Sequence, residues 1–236
     1  MIADDTLLSV LEERLGALLA DQRLGTLPPG GKAEITRITR ALAGRTGPAR
    51  LVLLTGLQGS GKTTLARALE AHGFLRVCPD ERVWQVHGHY GRDFPRGQYR
   101  VRERPVLDQI ATELRTLLAD GHDVVLDHGL WTAEDRGHWR HIGEQAGADV
   151  PLVYLPATHE DRWERIKERN ELTYDDPNAM YFSEDDLRRH ADRFEVPGPD
   201  EPHVVYTGDL DPVIRALGTN RDPVARHTAN PIPPNR

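Results

Sequence analysis

The most informative segment of the chain reads Gly56-Leu57-Gln58-Gly59-Ser60-Gly61-Lys62-Thr63, a complete GxxxxGK[ST] motif. An apolar run at 51–55 precedes it and helix-forming residues follow it, which is the context that the motif requires. Gly59 and Gly61 let the backbone N–H groups turn inward, and the next helix adds its positive N-terminal end. The motif therefore predicts a phosphate loop for a nucleotide. The predicted contacts are Gly56, Leu57, Gln58, Gly59, Ser60, Gly61, Lys62, Thr63 and Thr64.

Two side chains of the motif carry specific chemistry. Lys62 would reach the β- and γ-phosphates, and the hydroxyl of Thr63 would be a ligand of Mg²⁺. The guanine-specifying pattern Asn/Thr-Lys-x-Asp is absent, because Lys32 and Lys167 lack that context. The sequence thus predicts ATP and Mg²⁺ as cofactors.

Beyond the loop, short apolar runs alternate with helical stretches. The runs lie at 51–55, 75–78, 124–127, 152–155 and 203–206, and the helical stretches at 63–71, 99–119, 133–146 and 160–170. Runs without a polar face indicate strands that are buried on both sides, and helical crossovers between them indicate a parallel sheet. The predicted fold is an α/β P-loop NTPase with a mainly parallel five-stranded sheet and helices on both faces.

The chain divides into three predicted segments. Residues 1–48 read as an N-terminal helical extension of two helices separated by a Pro- and Gly-rich turn, either packed on the main domain or serving as a dimerisation or lid element. Residues 49–218 form the predicted P-loop domain. Residues 219–236 are rich in Pro, Asn and Arg, and we expect them to be a disordered tail.

Composition narrows the classes of protein. With 38% hydrophobic and 28% charged residues among 236, the chain is a globular protein rather than a fibrous or disordered one. It has no apolar run long enough to cross a membrane, no secretion signal at the acidic N-terminus and a single cysteine, Cys78, so we expect a cytoplasmic protein. A net charge of −7 argues against binding to long nucleic acid.

Carboxylates follow two of the predicted strands. Asp80 comes shortly after the second run, and Asp127 ends the third. Because ligands of open parallel sheets bind at the carboxyl ends of the strands, both side chains are candidates for the site. One could accept the proton of an attacking hydroxyl, and the other could hold Mg²⁺.

This arrangement resembles the P-loop kinase group that includes polynucleotide 5′-hydroxyl kinases, chloramphenicol phosphotransferase and zeta-type toxins, over about residues 49–215. The resemblance implies that Asp80 is the general base toward the acceptor hydroxyl and that Asp127 belongs to the magnesium site. It also implies that the helix bearing Arg136 follows this strand, and that an arginine-bearing helix at 162–170 closes over the phosphates.

The spacing of that helix supports the implied lid. Arg162, Arg165 and Arg169 stand at i, i+3 and i+7, so they share one helical face. Guanidinium groups there would neutralise the transferring phosphoryl group, and we assign this role to Arg165 and Arg169. Glu164 and Glu168 offer the alternative of a salt-bridged surface helix.

The acceptor side is less sharply defined. We expect His128 and Trp131, just past Asp127, to line the pocket, with Arg82 and Arg136 also near the substrate; residues 84–105 either shape this pocket or form a solvated loop. Polynucleotide kinases of the resembling group carry an arginine at the position of Val83, whereas here Arg82 lies one place earlier, which argues against recognition of a nucleic-acid end.

The prediction is therefore an ATP-dependent kinase that phosphorylates a hydroxyl of a small molecule such as an antibiotic, sugar, nucleoside or metabolite. The alternatives are a polynucleotide 5′-hydroxyl kinase, a zeta-toxin-like sugar-nucleotide kinase, and an ATP-dependent switch that transfers nothing.

Overall fold

The computed structural model describes residues 2–42, 47–172, 176–177 and 180–218. The predicted disordered tail at 219–236 lies outside these residues. In the described part of the chain, no helix combines the length and the apolar character needed to cross a membrane.

A parallel sheet forms the centre of the molecule. Its strands are β1 (Leu51–Thr55), β2 (Leu75–Val77), β3 (Val124–Leu126), β4 (Leu152–Tyr154) and β5 (Val204–Val205). Within the described residues the order is β2-β3-β1-β4-β5, and every pairing is parallel. The predicted five-stranded sheet is confirmed, and it is entirely rather than mainly parallel.

Helices cover both faces of the sheet. They are α1 (Ile2–Leu24), α2 (Gly31–Leu42), α3 (Lys62–Glu70), α4 (Pro79–His87), α5 (Tyr99–Ala119), α6 (Ala133–Gln145), α7 (His159–Leu172), α8 (Glu184–Ala191) and α9 (Asp211–Ala216). The four predicted helical stretches correspond to α3, α5, α6 and α7. The sequence pattern does not indicate α4, α8 or α9.

The side chains of β1 alternate between the two faces of the sheet, which explains why helices cover both faces. All five of its residues are buried. Leu51 and Leu53 face one core with residues of α5 and α6, whereas Val52 and Leu54 face a second core with residues of α3 and α9. Successive side chains of a strand point to opposite faces, so a fully apolar strand must lie between two helical layers.

The N-terminal extension is a pair of helices, as predicted. Arg14 of α1 forms an ion pair of 2.8 Å with Glu34 of α2, and Leu18 and Ile38 are buried. A methyl group added at Gly121 would lie 3.6 Å from Thr36, so α2 lies against the turn between α5 and β3.

The parallel arrangement determines where the site lies. The carboxyl ends of β1, β2 and β3 meet at one edge of the sheet, where Asp127 donates its backbone N–H to the carbonyl of Val77 at 2.9 Å. Pro79 occupies the first turn of α4, a position that suits its fixed φ and missing N–H, and it places Asp80 in that same turn. The phosphate loop, Asp127 and Asp80 therefore lie side by side.

Candidate active site

The phosphate loop connects β1 to α3 in a conformation that requires glycine. Gly59 and Gly61 have φ values of 78° and 99°, in the left-handed region. A Cβ at Gly59 would also lie 2.9 Å from the backbone oxygen of Arg162, so the loop packs directly on the backbone of α7. Gly61 is the N-cap of α3, which directs the positive end of that helix toward the loop.

Lys62 lies inside the curve of this loop. Its Nζ donates hydrogen bonds to the carbonyls of Gly56 at 2.8 Å and Leu57 at 2.9 Å. Burial lowers the pKa of Lys62 to about 8, although the nearby charges of Asp127 and Asp80 oppose the shift. An anion in the loop would favour the charged form of this amine and raise its pKa.

Thr63 and Asp127 form the candidate magnesium site. Asp127 is 5% exposed, and its Oδ1 lies 3.4 Å from the hydroxyl of Thr63. The other carboxylate oxygen, Oδ2, accepts hydrogen bonds from Arg76 at 2.7 and 2.8 Å. At nucleotide sites Mg²⁺ takes only one or two ligands from the protein, because phosphate oxygens and water supply the remaining ligands. A carboxylate oxygen beside a threonine hydroxyl fits this requirement. No group of three or more His, Cys, Asp or Glu side chains suited to a metal occurs within the described residues.

Arg76, the partner of Asp127, is a site residue that the sequence pattern does not indicate. It also pairs with Glu81 at 2.8 Å, so it ties the end of β2 to the first turns of α4 as well as to Asp127. The available signal was a charged residue in the middle of an otherwise apolar strand. A mid-strand arginine beside a strand-end aspartate fixes that carboxylate, which is what a metal ligand requires.

A cleft of about 240 Å³ brings most of the predicted residues together. Asp80 lines this cleft together with the phosphate loop, and the hydroxyl of Tyr99 donates a hydrogen bond to its Oδ1. The predicted residues in the lining are Gln58, Gly59, Gly61, Lys62, Thr63, Thr64, Asp80, Asp127, Arg165 and Arg169.

A second, narrower cavity adjoins the first at Asp80. Its volume of about 10 Å³ is room for one water molecule. Its walls are largely apolar and aromatic, and among its described lining residues there is no lysine or arginine. They are Asp80, Val83, Trp84, Gly88, His89, Tyr90, Phe94, Tyr99, Asp176, Pro177 and Met180. The predicted pocket segment 84–105 thus contributes part of the cavity wall, while most of 91–98 is exposed to solvent.

The three arginines of α7 near the phosphate loop differ in how deeply they are buried. Arg165 is exposed and donates to the carbonyl of Gly59 at 2.9 Å, and Arg169 donates to the carbonyl of Met180 at 3.2 Å. Arg162 is only 3% exposed, and among the described residues its Nε and Nη1 have no hydrogen-bond partner. Burial lowers the pKa of both Arg162 and Arg169. Arg169 lines the cleft, and its buried Nε also has no partner among the described residues, so the oxygens of a polyphosphate in the cleft could satisfy it.

The sequence comparison agrees with this geometry. The family model described as an AAA domain matches residues 51–197. The chain belongs to this AAA domain family. The match confirms the predicted resemblance to P-loop kinases, and the family implies nucleotide binding. No curated protein matches the chain.

Solved structures share the fold of this AAA domain. A candidate kinase from Chloroflexus aurantiacus has a TM-score of 0.58 and 18% identity, covering 75% of this chain and all of its own. Chaetomium thermophilum Kti12 in complex with ADP-AlF3 has a TM-score of 0.57 and 16% identity, covering 73% and 100%. The Pnkp1/Rnl/Hen1 RNA repair complex has a TM-score of 0.53 and 19% identity, covering 63% and 44%. These likenesses show the fold alone.

Two predicted substrate residues of the AAA domain lie apart from the cleft. Arg82 is exposed and pairs with Glu113 at 2.9 Å. Arg136 is 1% exposed and pairs with Glu201 at 2.7 Å, so it is engaged in a buried ion pair inside the fold. Its position one turn into α6 points the side chain inward, where a guanidinium needs a fixed partner. The prediction that Arg136 contacts substrate is corrected accordingly.

The two residues expected just past Asp127 also take other positions. Trp131 packs its ring on that of His190, with a centroid distance of 4.8 Å, and Arg193 lies over its face. His128 is half-buried near Asp80 and Lys62, and burial lowers its pKa. Neither residue belongs to the lining of the two cavities described above. Trp131 instead joins the strand end to α8.

Proposed function

We propose that this protein is an ATP-dependent kinase that transfers the γ-phosphoryl group to a hydroxyl of a small molecule. The observation that carries the proposal is the position of Asp80, which lines both the phosphate cleft and the aromatic cavity. A carboxylate between a phosphate site and a second pocket stands where a general base must stand. The aromatic cavity has room for a hydroxyl group of the acceptor, and a hydroxyl placed there would lie beside Asp80.

Each group of site residues has a separate role in the proposed reaction. Lys62 and the amides of the loop would hold the phosphates, while Arg165 and Arg169 would neutralise the transferring group. Asp80 would orient the acceptor hydroxyl and take its proton. The acceptor oxygen then bonds to the γ-phosphorus as the bond to the β-phosphate oxygen breaks, and ADP leaves. Mg²⁺ held by Thr63 and Asp127 would supply further positive charge to the phosphate oxygens.

The walls of the aromatic cavity support a small uncharged acceptor over a nucleic-acid end. Val83 is buried there, at the position where the resembling polynucleotide kinases carry an arginine. A phosphate of a nucleic-acid acceptor in this cavity would meet the carboxylate of Asp80, and none of the described lining residues is a lysine or an arginine. Burying an anion beside like charge and aromatic rings is unfavourable.

A product screen tests the proposal. The protein is incubated with ATP, Mg²⁺ and panels of nucleosides, sugars, aminoglycosides and 5′-hydroxyl oligonucleotides, and the products are examined by mass spectrometry for one added phosphoryl group. We expect a phosphorylated product in one of the small-molecule panels. Modification of the oligonucleotides alone would favour a polynucleotide kinase, and slow ATP hydrolysis without any modified acceptor would favour a switch.

A further inference from the structure

The hydroxyl of Tyr99 contacts Asp80, the proposed general base, but has no role in the proposed reaction. Tyr99 is the first residue of α5, and its hydroxyl donates a hydrogen bond to Oδ1 of Asp80. Burial raises the pKa of Tyr99, and the charge of Asp80 raises it further. The hydroxyl therefore keeps its proton and acts as a donor to the carboxylate.

We propose that Tyr99 is a positioning residue that holds Oδ1 of Asp80, so that Oδ2 is the oxygen presented to the acceptor hydroxyl. This inference rests on the proposed kinase function. An aspartate carboxylate rotates broadly about its last bond unless a partner fixes it. A charge-assisted O–H···O⁻ bond is among the stronger and more directional contacts that can do so.

The ring of Tyr99 is itself well fixed. Its centroid lies 5.3 Å from that of Tyr90 in an edge-to-face arrangement and 6.4 Å from that of Phe94 in a stacked one. Aromatic pairs of this kind favour one orientation. The position of the hydroxyl is thus determined by packing at the start of α5. Tyr99 both forms part of the cavity wall and donates the hydrogen bond to Asp80.

One turn further along α5, Glu103 places a second carboxyl group near Asp80. Burial and the charge of Asp80 raise the pKa of Glu103 to about 8, so its carboxyl is largely protonated at neutral pH. The ionisable groups that act on or respond to Asp80 come from several elements. They are Lys62, Cys78, Tyr99, Glu103, His128 and Arg169.

The substitution Tyr99→Phe removes the donor and keeps the ring. We expect kcat for the acceptor found in the product screen to fall about 10- to 100-fold, the loss for one hydrogen bond to a charged group, while the KM for ATP changes less than about twofold. Because the lost bond favours the ionised carboxylate, the acidic limb of the pH–rate profile should move to higher pH. The matched control is Tyr206→Phe, whose hydroxyl lies 3.5 Å from the carbonyl of Gly208 and which should behave as wild type.

Three results would overturn the inference. A Tyr99→Phe enzyme with the kcat and pH profile of wild type would show that the bond positions nothing. A joint loss of ATP affinity and melting temperature, with no change in the pH profile, would show a packing role instead. If wild type phosphorylates no acceptor, both the proposed function and the inference about Tyr99 are wrong. If wild type is active and Tyr99→Phe has the same kcat and pH profile, only the inference is wrong.

Discussion

At the scale of single residues, the cleft concentrates positive charge that an anion would balance. Lys62, Arg162 and Arg169 lie close enough that the two arginines help to lower the pKa of Lys62, in addition to its burial. Asp80 and Asp127 oppose the shift without cancelling it. A triphosphate would reverse this balance, because negative charge beside an amine favours its protonated form.

This balance predicts that ATP binding takes up protons. At pH 8, about half of the Lys62 amines should be neutral before binding and charged after it. Affinity for ATP should therefore fall as the pH rises through about 8, since protonation then becomes more costly. Calorimetric titrations at pH 8 in two buffers of different ionisation enthalpy measure the uptake directly.

The control is Lys62→Arg, which keeps the charge but does not titrate in this range. It should bind ATP without proton uptake. Equal binding enthalpies in the two buffers for wild type would contradict the assignment.

The predicted site residues that the fold brings into one cleft are those fixed by topology. Lys62 and Thr63 follow from the loop motif, and a parallel sheet brings the strand-end carboxylates Asp80 and Asp127 to the same edge. Tyr99 escaped prediction as a partner of Asp80 because the contact joins residues 19 positions apart on two helices. Non-local contacts of this kind are set by packing, which the local pattern does not show.

At the scale of elements, α7 and the phosphate loop form one unit. Arg165 reaches the carbonyl of Gly59, and the same glycine leaves no room for a side chain against the backbone of Arg162. The i, i+3, i+7 spacing predicted a shared face for the arginines but not their depth, since Arg162 is buried and Arg165 exposed. Depth depends on how closely the loop approaches the helix, which the spacing does not reveal.

The substitution Gly59→Ala should separate loop and helix. Its Cβ would lie 2.9 Å from a backbone oxygen of α7, which cannot move as a flexible side chain would. We expect at least about tenfold weaker ATP binding, because phosphate contacts depend on the loop geometry. Nucleotide titration by calorimetry or fluorescence measures the change.

Gly25→Ala is the matched control. Gly25 also has a positive φ, 73°, but a Cβ there would meet no atom within 4 Å and the residue lies between α1 and α2. The Gly25→Ala substitution should lower the free energy of unfolding by about 1–2 kcal/mol through backbone strain and leave ATP affinity unchanged. Equal effects of the two substitutions on ATP binding would contradict the role of close packing.

At the scale of the whole molecule, the sheet is the part of the fold that sequence patterning determines best. Short, mostly apolar runs marked all five strands, and the fully buried β1 and β3 show most clearly that a parallel sheet is covered on both sides. Helix α4 was missed, since Pro79–His87 is short and mostly polar, with only Pro79 and Val83 buried. Its stability comes from packing on α5 rather than from local sequence.

Buried ion pairs connect segments distant in sequence. Arg136 of α6 bonds to both carboxylate oxygens of Glu201 and to the carbonyl of Glu195, so it holds the segment before β5 against α6. We expect Arg136→Met to lower the free energy of unfolding by about 3 kcal/mol, because it leaves a carboxylate without its main partner. Urea unfolding measures this loss.

Arg188→Met is the comparison for that experiment. Arg188 is 60% exposed and pairs with Glu184 at the surface, so its loss should cost less than about 1 kcal/mol. ATP affinity of folded Arg136→Met should equal that of wild type. Weakened ATP binding with unchanged stability would place Arg136 back in the substrate site.

The central claim, that Asp80 makes this fold a phosphotransferase, is tested most directly by following the γ-phosphate from labelled ATP in wild type and Asp80→Asn. Asp108→Asn, an exposed aspartate on α5, is the matched control. We expect wild type and Asp108→Asn to label the acceptor, and Asp80→Asn to bind ATP equally well but to transfer at least about 100-fold more slowly. Equal transfer by Asp80→Asn, or label that in wild type goes only to inorganic phosphate, would contradict the account.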